Sequence, residues 1–456
     1  MNYDSTEIEL EEAMKEGAEN DFKHAFKSPK NKKEVYYKIA TYLIEKHNIK
    51  TIGGVKVREI FIYKDGIYIE GVNMLHQEIR ELLEELCKKH DVNEIIETIK
   101  DRTVADRKDF FVDLNFINLN NGVLNIRTNE LFPHNPKYLF FSKFPLNYKN
   151  GVDCPNIKNF LKETLKSEDI TIFQEWLGFG LYRRYFIKKA MIFVGEKDTG
   201  KSTSIRVIQE FYGLENICSM SLQKISHDKF ATSNFYNKHM NTYDELDYND
   251  IQNNGHFKMV TGGVSIPGEY KFGNQFLFIN YAKLLFACNK IPDVKDANDE
   301  AYFDRWIVIP FNNMVDKDKI DPFLIEKLTT LEEMSGLLNF ALEGLQRLLK
   351  NNRFSYEKTP DEIKVEMLRS GSTVANFAYD CLEQDPKSWI SKEDMYKAFV
   401  EYAVKNKLPS GISIKTIGSK LPKYVSYISE GKPKDKDGKQ ITAWMGVKFK
   451  EQEVDL

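Results

Sequence analysis

The segment Ala190–Gly213, AMIFVGEKDTGKSTSIRVIQEFYG, tells most about how this chain folds. An apolar run of β-forming residues stops at Gly195, and Gly200-Lys201-Ser202 follow at the GxxxxGK[ST] spacing. A helical pattern of apolar residues begins immediately afterwards. Glycines at both ends of the loop let backbone N–H groups face an anion, and the positive end of the helix adds to the attraction. The segment therefore predicts a strand, a phosphate-binding loop and a helix.

Each position of this loop has an expected role. Lys201 would contact the β- and γ-phosphates of a nucleotide, and the Ser202 hydroxyl would bind Mg²⁺. The alternative is a lysine-rich turn before a surface helix, which the preceding strand and the following helix disfavour. The predicted nucleotide-binding residues are Gly195, Glu196, Lys197, Asp198, Thr199, Gly200, Lys201, Ser202 and Thr203.

Composition sets limits on the class of protein. With 456 residues, 42% hydrophobic and 29% charged, the chain is expected to be globular, with two to four domains. A formal net charge of -3 gives no bulk argument for nucleic-acid binding, so any such site must be a local basic surface. The five cysteines are scattered and odd in number, which predicts reduced thiols, a cytoplasmic protein and no zinc site. No signal peptide and no apolar run of about 18 residues is found, so no membrane span is expected.

The order of patterns along the chain predicts four parts. Strands alternate with helices around the loop, which favours a parallel α/β sheet, and three helices followed by a hairpin with a basic tip favour a C-terminal winged helix. Short hairpins are also predicted at Lys64-Asp65-Gly66 and at Asn121-Gly122. The predicted parts are a flexible arm (1–33), a mixed α+β domain (34–150), the α/β domain (151–350), and a linker helix with the winged helix (351–456).

Two acidic residues follow a half-apolar strand, Met240–Tyr243. Asp244 is assigned to Mg²⁺ and Glu245 to the attacking water, because a carboxylate at a strand end beside a phosphate loop can hold the metal and a second can take a proton. The alternative is a solvated acidic turn.

A polar amide and a guanidinium stand at the ends of two further predicted strands. Asn289 follows the buried run Leu284–Cys288 and could contact the γ-phosphate or the water, or simply cap the strand. Arg305 precedes an apolar run and could reach the nucleotide of a neighbouring subunit, where it would neutralise transition-state charge. A structural pair with Asp304 is the alternative.

Taken in order, GEKDTGKST, DEL, FKMVTGGVSIPGEYKF, KLLFACNKIP and DRWIVIPF resemble the motifs of the superfamily-3 DNA helicases. The resemblance is greatest to the branch formed by poxvirus, phage and plasmid primase–helicases, and it covers about residues 35–450. NLNNGVLNIRTNEL is similar to the domain that precedes the motor in that branch. The fold implied is α/β, with an AAA+ P-loop motor, a mixed α+β N-terminal domain and a C-terminal winged helix.

The resemblance implies a hexameric ring that moves along one DNA strand and hydrolyses ATP with Mg²⁺. The matching site residues are Lys201 and Ser202 from the first motif, Asp244 and Glu245 from the second, Asn289 as sensor and Arg305 as the finger offered to a neighbour. The channel hairpin of the family matches Lys258–Lys271. Lys271 is the expected DNA contact, with Phe272 and Asn274 near the tip; a solvated surface lysine is the alternative. Val264 stands where the family has an acid, and Lys283 is a further candidate for the neighbour's phosphates.

The C-terminal segment adds a second expected DNA contact. Seven lysines lie between Lys415 and Lys439 against three acids, so a wing and helix could grip duplex DNA through its phosphates, although a plain solvated loop is an alternative. No convincing set of metal-binding carboxylates precedes the motor, so a helicase without primer synthesis is expected, working with a separate primase or polymerase in the host-cell cytoplasm. Two competing hypotheses are an ATP-dependent origin-binding initiator that does not unwind DNA and a small-molecule kinase.

Overall fold

The computed structural model describes most of the chain, and the chain divides into two compact units, residues 1–150 and 151–456. The described ranges are 21–27, 32–53, 58–106, 113–228, 230–246, 254–271, 275–292, 299–314, 321–406, 408–434 and 438–450.

The first unit combines helices with two small sheets. Its four-stranded sheet has the order β3-β2-β1-β4, and its three-stranded sheet has the order β5-β6-β7. Residues 21–26 are also helical. The elements are α1 (Lys32–His47), β1 (Lys50–Gly53), β2 (Arg58–Lys64), β3 (Ile67–Glu70), α2 (Val72–Leu83), α3 (Lys89–Arg102), β4 (Val104–Ala105), β5 (Phe116–Leu119), β6 (Gly122–Asn125) and β7 (Glu130–Phe132).

Both hairpins predicted in this unit are confirmed. Strands β2 and β3 turn at Asp65-Gly66, where both residues have a positive φ (50° and 86°). Strands β5 and β6 turn just before Gly122, whose φ is 145° and where a Cβ would lie 2.4 Å from the Phe132 backbone oxygen. Turn chemistry in the sequence therefore fixes these two pairings.

The second unit is built on a five-stranded parallel sheet with the order β14-β8-β13-β10-β9. A separate two-stranded hairpin, β11-β12, is inserted between β10 and β13. The elements up to the last sheet strand are α4 (Pro155–Thr164), α5 (Ser167–Leu181), β8 (Ala190–Val194), α6 (Lys201–Tyr212), β9 (Ile217–Cys218), α7 (Leu222–His227), β10 (Met240–Tyr243), α8 (Gly255–Val260), β11 (Ser265–Glu269), β12 (Gln275–Ile279), β13 (Lys283–Cys288), α9 (Glu300–Phe303) and β14 (Trp306–Pro310).

Strands β14, β8 and β13 are buried along almost their whole length. A parallel strand covered on both faces reads as a continuous apolar run, and this is the pattern of AMIFV and LLFAC. The hydrophobic cluster around these strands continues into the C-terminal helices, where it includes Phe377 and Phe399, and to Trp444 in the C-terminal sheet.

Helix α5 packs closely against a long helix, α11 (Leu331–Asn351), that follows the sheet. A Cβ on Gly178 would lie 2.4 Å from the backbone oxygen of Ala341, and one on Gly344 would lie 2.4 Å from that of Gln174. The fully buried Glu175 accepts hydrogen bonds from Arg347 Nε at 2.6 Å and, in the loop after α11, from a backbone N–H. Glycines thus allow the two backbones to touch, and one buried ion pair holds them together.

Beyond the sheet the chain is mostly helical and ends in a three-stranded sheet of order β15-β17-β16. The elements are α10 (Leu324–Leu328), α11 (Leu331–Asn351), α12 (Pro360–Gly371), α13 (Thr373–Cys381), β15 (Leu382–Ser391), α14 (Lys392–Lys405), α15 (Ile414–Tyr424), β16 (Ser429–Gly431) and β17 (Ala443–Phe449).

The structure corrects two details of the sequence prediction. Strand β15 was not anticipated, because LEQDPKSWIS has neither a clean alternation nor an apolar run, and it forms by pairing with β17 across an irregular register. The pattern of ITIFQEWLGFGLYRRYF predicts a helix that runs to Phe186, but α5 ends at Leu181 because Tyr182 takes up an extended conformation. The mixed α/β class itself is confirmed.

The contact between α5 and α11 makes a stability prediction. Gly344→Ala forces the helices apart and should lower the free energy of unfolding by about 1–3 kcal/mol, even though alanine favours the helix intrinsically. Calorimetric melting of the purified protein measures the change. Gly411→Ala is the matched control, since nothing lies within 4 Å of its Cβ position; equal melting temperatures for the two variants would contradict the close-packing account.

Candidate functional site

The loop between β8 and α6 is shaped by close backbone approaches. A Cβ on Gly195 would lie 2.2 Å from the backbone oxygen of Phe311, so only glycine fits at this position. Gly200 has φ 93° as it caps the helix, and Asp198 also has a positive φ, 62°. The loop therefore curls back over the end of its own strand, and the first turn of α6 opens towards it.

Lys201 is the first residue of α6 and is only 7% exposed. Its Nζ donates to the backbone oxygens of Gly195 and Glu196, both at 2.6 Å. Burial lowers the pKa of this ammonium, although the thiol of Cys288 and the carboxylates of Glu196 and Asp198 act in the opposite direction. The loop thus holds a desolvated cation at its centre.

The other loop residues have different exposures. Thr199 is buried and its hydroxyl donates to the Glu196 backbone oxygen at 2.9 Å, which fixes the curve of the loop. Ser202 is exposed on the first turn of the helix. The exposed side chains within the loop are those of Glu196, Lys197 and Asp198, and Thr203 is half-buried.

The strand register brings three predicted polar residues to the edge of the sheet where this loop lies. Val194 pairs with Cys288 on β13, and Tyr243 on β10 pairs with Phe286, so β8, β13 and β10 end close to one another. Asp244, Glu245 and Asn289 follow these strand ends and are all exposed. Within the described part of the chain, none of these three side chains has a hydrogen-bond partner, which leaves them available to a ligand.

Cys288 lies at the end of β13, where it pairs with Val194 of β8 and is near enough to Lys201 to interact with it electrostatically. It is 2% exposed, and burial raises the pKa of its thiol to about 12. The thiol therefore stays neutral and does not cancel the charge of Lys201. No sequence signal marks this contact, because only the register of β8 and β13 creates it.

Arg305 lies at the opposite, amino-terminal edge of the sheet. Its backbone oxygen accepts from Ala190 N–H at 2.6 Å, at the start of β8. Its guanidinium is half-buried, donates from Nε to Thr261 Oγ1 at 3.1 Å, and donates from Nη1 to the Ala301 backbone oxygen. The alternative pairing with Asp304 is not formed; that carboxylate pairs with Lys189.

Lys283 does not have the position suggested for it. Its side chain is fully buried, and Nζ donates to the backbone oxygens of Tyr182 at 2.6 Å and Tyr281 at 2.7 Å. It also lies over the Phe179 ring, 4.5 Å from the centroid, and burial drives its pKa well below the usual range. A lysine enclosed in this way cannot contact a neighbouring molecule, so Lys283 is a structural residue.

The hairpin β11-β12 carries Lys271 beyond the end of β11, where the side chain is exposed. One face of the hairpin is anchored in the core by Ile266 and Phe278. Phe272 and Asn274, predicted to lie near the tip, fall outside the described residues. The other predicted nucleic-acid surface is on α15 and the β16–β17 connection, where Lys415, Lys432, Lys434 and Lys439 are exposed.

Within the described ranges, no helix has the length and apolar content that a membrane crossing requires. Nor does any group of three or more His, Cys, Asp or Glu side chains in those ranges have the arrangement of a metal centre.

Comparison with known proteins relates parts of the chain to two families. Residues 5–166 match the family described as D5 N terminal like, and residues 193–305 match a family of unknown function, DUF5906. No curated protein matches the chain.

Several solved structures share the fold. The apo structure of the NrS-1 C terminal region (residues 305–718) has a TM-score of 0.52 at 15% identity and covers 91% of this chain and 99% of that one. The A form apo structure of the same region has a TM-score of 0.51 at 14% identity, covering 90% and 98%. At this identity the likeness concerns architecture, and it extends over nine-tenths of the chain.

These findings agree in part with the sequence resemblance. The D5 N terminal like match covers the segment that resembled the domain preceding the motor of primase–helicases. The DUF5906 match runs from Phe193 to Arg305 and so includes the loop, Asp244, Asn289 and the hairpin. The N-terminal segment is thus similar to the D5 N terminal like family.

Proposed function

We propose that this protein is an ATP-driven DNA helicase of a virus, phage or plasmid-like element, acting as a ring of identical subunits on single-stranded DNA. One observation carries the proposal: the two edges of the parallel sheet hold complementary groups. The loop with Lys201 and the unpaired Asp244, Glu245 and Asn289 lie at the carboxyl edge, and Arg305 lies at the amino edge.

The carboxyl edge suits a nucleoside triphosphate with its metal. Backbone N–H groups of the loop and the start of α6 attract phosphates, and the buried ammonium of Lys201 gains more from an anion than from the neutral carbonyls it now contacts. The hydroxyl of Ser202 and the carboxylate of Asp244 would hold Mg²⁺. Bound there, the metal would neutralise charge on the phosphate oxygens.

Two exposed side chains at this edge fit hydrolysis. The carboxylate of Glu245 would orient a water molecule and accept its proton as the water oxygen bonds to the γ-phosphorus and the bond to the β–γ bridging oxygen breaks. The amide of Asn289 would donate a hydrogen bond to the γ-phosphate. Both side chains are exposed beside the loop, and neither is used in the described part of the fold.

Arg305 cannot serve the nucleotide of its own subunit. It is separated from Pro310, the last residue of β14 at the carboxyl edge, by about 16 Å at about 3.3 Å per residue. An arginine on the amino edge can only meet phosphates that belong to another copy. The same edge exposes Arg184 and Lys188, so it is positively charged. A carboxyl edge facing the amino edge of the next copy is a head-to-tail contact, which forms a ring when the rotation between copies closes; from the resemblance to superfamily-3 helicases we infer a closed hexamer.

The hairpin supplies the contact to DNA in this proposal. One exposed lysine per subunit binds a phosphate weakly, but the same residue repeated around a ring surrounds a single strand with positive charge. Lys271 is the residue proposed for this contact, with Phe272 and Asn274 beside it. The D5 N terminal like match and the fold shared with the NrS-1 C terminal region support a replication protein.

A second candidate function is an ATP-dependent initiator that binds duplex DNA without unwinding it. The basic surface of α15 and the β16–β17 connection favours it, since three helices with a lysine-bearing hairpin form a winged helix that could hold duplex phosphates. A strand-displacement assay with a forked substrate separates the two functions: only the helicase releases the labelled strand in an ATP-dependent way.

Removing the buried ammonium tests the ATP site. Lys201→Ala should reduce DNA-stimulated ATP hydrolysis by at least about a hundredfold, because the charge developing on the phosphates loses its fixed counter-charge. Phosphate release measured with and without single-stranded DNA gives the rate. Lys224→Ala on α7, an exposed lysine away from the site, is the control. Normal hydrolysis by Lys201→Ala would show that the nucleotide site lies elsewhere.

Mixing two inactive variants tests the shared site. Arg305→Ala should still bind ATP, because its phosphate-binding loop stays intact, but it should hydrolyse ATP poorly. In an equimolar ring mixture with Lys201→Ala, roughly one interface in four joins an intact loop to an intact arginine, so part of the activity should return. The measurement is ATP turnover against mixing ratio. Normal turnover by Arg305→Ala as a monomer would rule out the proposed role.

Charge removal on the hairpin tests the DNA contact. Lys271→Ala should abolish most unwinding and weaken single-strand binding, and the slope of log affinity against log salt should fall by about 0.7 for each phosphate that the variant no longer binds. Fluorescence anisotropy with a labelled oligonucleotide over a salt series measures it. Lys350→Ala, at the exposed end of α11, is the matched control. An unchanged slope and unchanged unwinding would remove Lys271 from the channel.

A further inference from the structure

Thr261 makes an unusual pair of contacts with Arg305 and the preceding helix. It is fully buried immediately after α8, and its Oγ1 donates to the Phe257 backbone oxygen at 2.8 Å while accepting from Arg305 Nε at 3.1 Å. The hydroxyl proton is therefore committed to the helix, and a lone pair is turned towards the guanidinium. The hydroxyl has a fixed orientation, and this orientation suits the arginine.

The half-buried guanidinium of Arg305 keeps hydrogen-bond donors that the described part of its own subunit does not use. A guanidinium is planar and carries five N–H donors. Among the described residues, two of them are used, one on Nε to Thr261 and one on Nη1 to the Ala301 backbone oxygen. Because these two bonds fix the plane of the group, the donors left over on Nη1 and Nη2 form a pre-oriented pair that suits the two oxygens of a phosphate.

The helices that hold these two contacts are locked to each other. Asp299 caps α9, accepting from the Tyr302 backbone N–H at 3.2 Å, and also accepts from Lys258 Nζ on α8 at 2.8 Å. Burial alone would raise the pKa of Asp299, but the hydrogen bonds from Lys258 and Asn254 outweigh it and hold the pKa below its usual value. The carboxylate is therefore charged at neutral pH, and it joins α8 to α9 through its bond with Lys258.

Thr261 also lies at the base of the β11–β12 hairpin, the hairpin proposed above to contact DNA. Gly263, two residues on, has φ 67°, and a Cβ there would lie 2.4 Å from the Tyr185 backbone oxygen. At the other end of the hairpin, buried Asn280 donates to the Val260 backbone oxygen at 2.8 Å. Both strands of the hairpin thus leave the fold from the end of α8, where Arg305 is held.

We propose that Thr261 is a positioning residue that orients Arg305 towards the phosphates of the neighbouring subunit and links that arginine to the hairpin root. The proposal rests on the role proposed above for Arg305 and adds the group through which that role is set. Thr261 touches no substrate; it acts by restricting the side-chain freedom of the arginine, so its removal slows the chemical step without weakening ATP binding.

The experiment compares hydroxyl-deleting variants with a hydroxyl-retaining one. Two variants remove the hydroxyl: Thr261→Val, and Thr261→Ala, which adds no bulk. Both should lower kcat for ATP hydrolysis by about tenfold, with KM changed by less than about twofold. Thr261→Ser should recover most of the rate. Thr232→Val is the matched control: its buried hydroxyl donates to Pro267 on the same hairpin at 2.7 Å but does not contact the arginine. It should retain the wild-type kcat.

A double variant shows whether the effect passes through the arginine. Thr261→Val combined with Arg305→Ala should be no slower than Arg305→Ala alone, because the positioned group is already missing. A further loss in the double variant would overturn the proposal, as would wild-type kcat in both hydroxyl-deleting variants. If Arg305→Ala itself turns over ATP normally, the shared-site function fails along with this proposal; if only the Thr261 variants are normal, that function stands and the positioning role alone is wrong.

Discussion

The register between β8 and its two neighbours governs the arrangement of the whole second unit. Pairing Val194 with Cys288 on one side and Pro310 on the other brings three strand ends to one edge, and all of the loop chemistry follows from that edge. A shift by one residue would exchange the side chains on the two covered faces of a strand and disrupt their packing. The hydrophobic core therefore fixes the geometry of the site. The site residues themselves contribute little to holding the strands in place.

Buried charges show how this unit divides its stabilising and functional groups. Glu175 is fully buried and accepts a hydrogen bond from the guanidinium of Arg347, so its desolvation is offset by an opposite charge within the fold. Lys201 is also buried, but its partners are two neutral carbonyls at the mouth of a loop, and an anion would satisfy it better. Asp244 and Glu245 remain exposed beside that loop. The charge of Glu175, away from the loop, is thus neutralised within the fold. The charges of Lys201, Asp244 and Glu245, next to the loop, are left partly uncompensated.

The amino edge of the sheet connects what would otherwise be separate features. Arg305, the α8–α9 pair and both ends of the hairpin meet around Thr261, within a few hydrogen bonds of one another. Such a chain of direct contacts is a physical route by which a change at the arginine could reach the hairpin. The separation of carboxyl and amino edges by the length of a strand makes the second copy necessary for the proposed chemistry.

Local sequence was enough to predict the strand, loop and helix around Lys201, the hairpins at Asp65-Gly66 and Gly122, and the strand ends that carry Asp244 and Asn289. These elements follow from turn chemistry and hydrophobic period, which act over a few residues. Folding in three dimensions was needed to enclose Lys283, to form β15, to bring Cys288 beside Lys201 and to hold Arg305 against Thr261. Each of these depends on register and burial between segments far apart in the chain, and no local pattern encodes that.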